Sequence, residues 1–365
     1  MKKKTLLITG ASLGLAVLAS AALMLTGVIA SPFSTRHGPP QQDSVIDETQ
    51  RAEVVANLIA NLDRFYIFPD KAAQMTARLR VRQQAGDYQQ ITSAEAFAAT
   101  LSDDLQAIAD DRHLRVGYSH ALLPEVDDQA PVAATAEELA ELRRVNFGVH
   151  AVDRLEYNIG YIDLRAFAPP DLVASRLAAA MTLLGDTRAL IIDLRANQGG
   201  DPETVALLAS YLFDKRTHLN DIQHRDGDRK QEFWTRDQVS GPRYGRTRKV
   251  YVLIGHDTFS AGEDFAYALK NLKRATLIGE ATGGGAHPGE IRRLNPHFGV
   301  FVSSGRAVSP ITNSNWEGVG VTPDVAIDAD KALEQAQTLI LTDFLATEKD
   351  ELWRGLLKES LADLD

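Results

Sequence analysis

Two runs constrain the fold most: Ala189-Leu190-Ile191-Ile192 and Val250-Tyr251-Val252-Leu253-Ile254 contain no charged side chain. A strand with one wet face alternates polar and apolar residues. An unbroken apolar run of this length reads as a strand buried on both faces, as in the parallel sheet of an α/β fold. Each run leads into a small-residue turn and then a helical pattern, Glu203–Leu212 after the first and Glu263–Leu272 after the second. Further strand signals fall at Leu155–Arg165, Ala275–Glu280, Val300–Ser303 and the turn into Val325, and helical patterns at Leu172–Leu184, Asp328–Thr347 and Glu351–Leu364. This repeated strand–helix order predicts an α/β fold with a largely parallel sheet.

The N-terminal part reads differently. Lys2-Lys3-Lys4 precede the apolar stretch Thr5–Ala30, which has the layout of an export signal and the length of a membrane span. Residues 1–30 are therefore expected to be a cleaved signal peptide or an anchor, engaging the export machinery or the membrane. Either places the rest of the chain outside the cytoplasm, periplasmic or otherwise extracytoplasmic. Residues 31–47 read as a linker. Three helices are expected at Glu48–Ala60, Asp70–Ala85 and Ser93–Ala109, the last capped by Ser93, followed by a strand at Leu114–Tyr118. The expected division is a helical subdomain over 48–120, a connector over 121–145, an α/β core over 146–345 and a C-terminal helix over 346–365.

Composition excludes some chemistry. The 365 residues carry a net charge of −10 with no basic block beyond the first residues, so nucleic acid is not an expected partner. There is no cysteine, which removes disulfides, thiolate nucleophiles and Cys-ligated zinc. Neither the GxGxxG nor the GxxxxGK[ST] pattern occurs at the glycine pair, and no cofactor or metal is expected.

Ser260 sits where the second apolar strand turns into its helix, in Thr258-Phe259-Ser260-Ala261-Gly262. A serine there can stand at the edge of the sheet as a nucleophile, or merely cap the helix. The glycine pair Gly199-Gly200 follows the first strand, and bare backbone there can approach a ligand closely. His113, entering a strand after the third helix, reads as a general base or as a surface histidine in an acidic loop. Glu263 and Asp264 read as acids favouring a helix N-terminus.

Four stretches stand in order: DDRHLRV, DLRANQGG, TFSAGE with IGEATGG, and WEGVGVTPD. Together they resemble the tail-specific, or C-terminal-processing, serine peptidase family, over roughly residues 48–339. The family also holds the tricorn core protease and the repeats of interphotoreceptor retinoid-binding protein. The resemblance implies a ClpP/crotonase-like ββα-spiral core with a small N-terminal three-helix subdomain, and a peptide or unfolded protein as substrate. It implies Ser260 as nucleophile, His113 as base and Glu317 as the carboxylate that orients the base. Backbone N–H groups of Gly199 or Gly200 and of Ala261 would form the oxyanion hole. The lysine base that bacterial members carry about 25 residues after the serine is missing, and so is a PDZ domain. His287 occupies that loop and is the rival base. These departures point to the tricorn-like and retinoid-binding-protein-like branch. An alternative is an inactive module binding an apolar ligand or peptide, since fold alone does not fix function.

Overall fold

A computed structural model describes residues 42–123, 136–225 and 229–364. The expected signal or anchor at 1–30 lies outside the described residues. Among those described, no helix is long and apolar enough to cross a membrane.

In chain order the first elements are α1 (Glu48–Phe65), α2 (Pro69–Ala85), α3 (Ala94–Ala109), β1 (Arg115–Tyr118), α4 (Ala136–Arg144), β2 (Val149–Leu155) and β3 (Ile159–Leu164). Then come α5 (Pro170–Leu183), β4 (Ala189–Asp193), α6 (Pro202–Ser210), β5 (His218–His224), β6 (Lys230–Trp234), β7 (Lys249–Ile254) and α7 (Ala261–Asn271). The chain closes with β8 (Thr276–Gly279), β9 (Gly289–Arg293), β10 (Phe298–Ser303), β11 (Gly305–Val308), β12 (Val325–Ala326), α8 (Ala332–Thr347) and α9 (Glu351–Leu364).

The chain divides into two compact units. The first takes the chain up to Arg144 together with Gln223–Lys230 and His287–Arg306. Its helices start where local chemistry lets them. The Asp47 carboxylate accepts from Gln50 N–H at 2.8 Å while the Gln50 side chain accepts from Asp47 N–H at 3.0 Å, a reciprocal cap on α1. Pro69 opens α2, where a missing N–H costs nothing, and Gly86 ends it at φ +79°. Ser93 caps α3 through Ala96 N–H. Leu58, Leu62, Phe97 and Leu101 pack with Phe298 and Val300 of β10. β10 is the middle strand of an antiparallel sheet ordered β1-β10-β9.

The second unit holds a six-stranded sheet ordered β12-β8-β7-β4-β3-β2. Every neighbouring pair is parallel except β2 with β3. β4 is buried along its whole length, as its unbroken apolar run requires. Ile191, Leu253 and Ile278 of the sheet pack against Ala336, Ile340 and Phe344 of α8. The strand signal over Leu155–Arg165 falls on β3, and the strand before it, β2, pairs with it as a hairpin. Tyr157 and Asn158, at φ +57° and +63°, turn the chain between β2 and β3. The polar excursion 214–245 supplies β5 and β6, which join β11 in a third sheet. The α/β class and the N-terminal helical region are thus as expected.

Candidate active site

The serine corner is built on the ends of β4 and β7. Thr258 Oγ1 donates to Leu194 O at 2.7 Å and accepts from Gly255 N–H at 3.0 Å. Phe259 N–H donates to Asn197 O at 2.9 Å. Between buried Phe259 and Ala261, Ser260 is half-buried and adopts φ +53°, ψ −117°. Such a backbone costs a non-glycine residue about 1–3 kcal/mol and persists only when its surroundings over-determine it. Here two backbone bonds do so: Ser260 N–H donates to Glu263 Oε2 at 2.8 Å, and Ser260 O accepts from Asp264 N–H at 2.9 Å. A strained turn of this kind holds a serine hydroxyl clear of the strand.

The glycine turn after β4 backs onto this corner. Buried Asn197 donates through Nδ2 to Leu164 O at 2.8 Å and accepts from Gly199 N–H at 2.9 Å through Oδ1. Gly199 has φ +101°, and a Cβ there would stand 2.8 Å from the Ser260 Cβ. Gly200 has φ +135°, and a Cβ there would meet Phe167 O at 2.1 Å. Only glycine fits either place. Gly199 is thus brought against Ser260, but its N–H is taken by Asn197.

Glu263 does more than its sequence position signals. It is fully buried, and its two oxygens receive four donors. Thr282 Oγ1 and Gly284 N–H donate to Oε1 at 2.5 and 2.6 Å; Gly285 N–H and Ser260 N–H donate to Oε2 at 2.8 Å each. One carboxylate therefore clamps the glycine-rich loop to the serine corner. Burial pushes its carboxyl up to about 7, against the opposing pull of those hydrogen bonds. The same loop carries Glu317: Ala286 N–H donates to Glu317 Oε2 at 2.5 Å, Trp316 Nε1 to Gly285 O at 2.8 Å and Gly318 N–H to Gly284 O at 2.8 Å.

Asp264 is buried too, and burial pushes its carboxyl up to about 7, with a hydrogen bond from Asn220 opposing. Above pH 4 the unfolded chain releases this proton while the folded chain keeps it until about pH 7, so stability from this group falls as pH rises through that window. Asp264→Asn removes the titration. We expect its unfolding free energy relative to wild type to rise by about 1–3 kcal/mol between pH 5 and pH 8. Urea melts at the two pH values check this, and a pH-independent difference would contradict it.

In the first unit Asp111 bonds the backbone of His113 and the ring of His287. Asp111, fully buried just past α3, accepts from His113 N–H at 3.0 Å and Leu114 N–H at 3.3 Å through Oδ1. Its Oδ2 accepts from Tyr66 OH at 3.1 Å and pairs with His287 Nδ1 at 3.2 Å. A carboxylate on Nδ1 selects the tautomer with hydrogen on that nitrogen. Burial works to raise the Asp111 carboxyl, yet the bond and charge of His287 and the charge of His113 hold it below the usual range. The His113 ring stacks on Phe301, centroids 5.2 Å apart. Burial pushes it down to about 4, with Asp111 pulling the other way, so it is neutral at pH 7.

Among the described residues of the second unit, His218, Asp221 and Glu232 offer metal-ligand atoms within 4.8 Å of one another. His218 Nε2 is already paired with Asp221 Oδ1 at 2.7 Å.

Ser260 thus stands in a strained strand–helix turn, backed by a glycine turn and a clamped loop. Residues 158–327 match the model of peptidase family S41, and residues 48–148 match that of the N-terminal domain of Peptidase_S41 in eukaryotic IRBP. The chain belongs to peptidase family S41. Carboxyl-terminal-processing peptidase 2, chloroplastic, of Arabidopsis thaliana is 30% identical over 175 residues, covering 46% of this chain and 31% of that protein. The matches span about a third of the length of the first curated relatives. Among solved structures, a lipoprotein from Streptococcus agalactiae has a TM-score of 0.54 at 13% identity, covering 83% of this chain and 97% of that one. Mature CPAF has a TM-score of 0.53 at 13% identity, covering 78% and 94%. Both likenesses speak to the fold alone.

Proposed function

We propose that this chain is an exported serine endopeptidase of the carboxyl-terminal-processing kind, acting on peptides or unfolded chain ends. The observation that carries this reading is the strained backbone of Ser260, held by Glu263 beside Gly199. In this reading the segment 48–120 supplies the imidazole and 146–345 the serine, while residues 1–30 direct the chain out of the cytoplasm.

A serine hydroxyl needs a base to be nucleophilic at neutral pH. His113 takes the Ser260 proton as Oγ attacks the substrate carbonyl. The oxyanion that forms is met by the N–H groups of Gly200 and Ala261, since the Gly199 N–H already serves Asn197. Each such donor contributes about 3–4 kcal/mol to the transition state. The imidazolium then gives its proton to the leaving amine, and water, activated by the same ring, frees the acyl group. Glu317 orients and stabilises the imidazolium.

The test separates the two histidines. His113→Gln is expected to lower kcat/KM for a peptide substrate by about 10²–10⁴-fold, and His287→Gln by less than tenfold. Because burial holds His113 down to about 4, its basic form persists in acid, and the acid limb of kcat/KM is expected well below pH 6. Activity is then present above that limb and lost as pH falls through it. Loss confined to His287→Gln would transfer the role of base to His287.

A further inference from the structure

A cleft of about 610 Å³ opens in the second unit, a volume typical of ligand sites. Lys215, Arg216 and Arg246 stand on its rim, while Phe213, Leu272 and Ile311 give it apolar walls. The chain as a whole carries a charge of −10, so three cations gathered at one cleft run against the background. Two of the cations are held in place by rings. Arg216 lies 4.6 Å from the centroid of Trp234, which is itself stacked on His218, and Arg246 lies 5.9 Å from that of Phe213. Asp214 is the single acid of the lining, and its Oδ2 already accepts from Arg246 N–H at 3.2 Å. Ile311 is 50% exposed, an apolar wall left to solvent.

Position gives the cleft a use. Ser260 stands at one end of α7 and Leu272 just past the other. Twelve residues at about 1.5 Å each separate them by roughly 18 Å. An extended peptide at about 3.3 Å per residue covers that span in five or six residues.

We propose that this cleft is an exosite for an acidic peptide segment bearing a bulky apolar side chain, lying five or six residues from the bond to be cut. Its carboxylates meet Lys215, Arg216 and Arg246, and its apolar residue meets Phe213, Leu272 and Ile311. The kinetic consequence rests on the peptidase reading; the binding does not. An exosite of this kind acts on binding of substrate and leaves the chemical step alone, so it lowers KM and not kcat.

The experiment uses full-length protein carrying Ser260→Ala and fluorescein-labelled peptides in anisotropy titrations. One peptide holds a Glu/Asp run with one leucine, and its control has Gln and Asn in place of the acids. The acidic peptide is expected to bind at least tenfold more tightly at low salt, with the difference shrinking in high salt. Lys215→Glu with Arg216→Glu, both exposed positions, is expected to erase the preference, as is Lys215→Gln with Arg216→Gln should charge reversal disturb folding. Equal binding of the two peptides, a preference surviving in both double variants, or equal competition by a single-stranded oligonucleotide would overturn the proposal. With the wild type, an acidic run five or six residues from the cleaved bond is expected to lower KM about tenfold at unchanged kcat. Binding without any hydrolysis would leave the exosite standing and remove the peptidase reading.

Discussion

Ser260→Ala is expected to lower kcat/KM for peptide hydrolysis by about 10⁴-fold or more while leaving the melting temperature within a degree or two of wild type. The two effects separate because the corner is held by backbone. The Ser260 N–H bond to Glu263 and the Ser260 carbonyl bond from Asp264 N–H do not involve the hydroxyl. Alanine keeps the Cβ and therefore the same backbone preferences. What it removes is the oxygen that would attack. Residual turnover should reflect water attacking a substrate still held by the oxyanion donors. Full activity in the alanine variant would end the nucleophile assignment, and loss of activity together with unfolding would assign Ser260 a structural role.

Glu263→Gln is expected to cost about 2–4 kcal/mol of stability, because an amide in its place turns two donor hydrogens toward groups that are themselves donors. The carboxylate receives Thr282 Oγ1 and three backbone N–H groups. An amide oxygen can satisfy only those on its own side, and the other pair is left buried without an acceptor. For a unit of this size the melting temperature should fall by about 5–15 °C. Activity should fall as well, by about 10²-fold, since a small displacement of the serine corner spoils attack geometry. The effect carries a pH signature. Burial pushes the wild-type carboxyl up to about 7, so the folded wild type keeps a proton that the unfolded chain releases, its stability falls as pH rises toward 7, and the gap between wild type and variant is wider at pH 6 than at pH 8. Calorimetry at pH 6 and pH 8 checks this, and an unchanged melting temperature at pH 6 would show that the clamp contributes little.

The strands that face burial on both sides are legible, because the apolar runs Ala189–Ile192 of β4 and Val250–Ile254 of β7 would strand an unpaired polar residue in the core. Helix starts were legible where a local side chain does the capping, as Ser93 does. The strands that escaped notice have no such pressure. β9 is half-buried throughout, so its residues show no alternation. The β2–β3 hairpin turns on two non-glycine residues with positive φ, which no glycine or proline announces.

The site divides the same way. Ser260 and the glycine pair were legible because their demands are local: a strand end, a small neighbour, a backbone that a side chain would obstruct. Glu263 read only as a first-turn acid, since three of its four donors come from Thr282–Gly285, some twenty residues away. Asp111 carries no local signal of its role. Its link to His287 spans 176 positions in sequence, and no local pattern encodes a contact of that range.

The most direct measurement is covalent. Wild-type protein treated with a fluorophosphonate at pH 8 and mapped by mass spectrometry should carry the adduct on Ser260, with labelling slowed by His113→Gln and abolished by Ser260→Ala. A correctly folded protein that takes no label, or takes it at a different serine, would contradict an imidazole-activated Ser260.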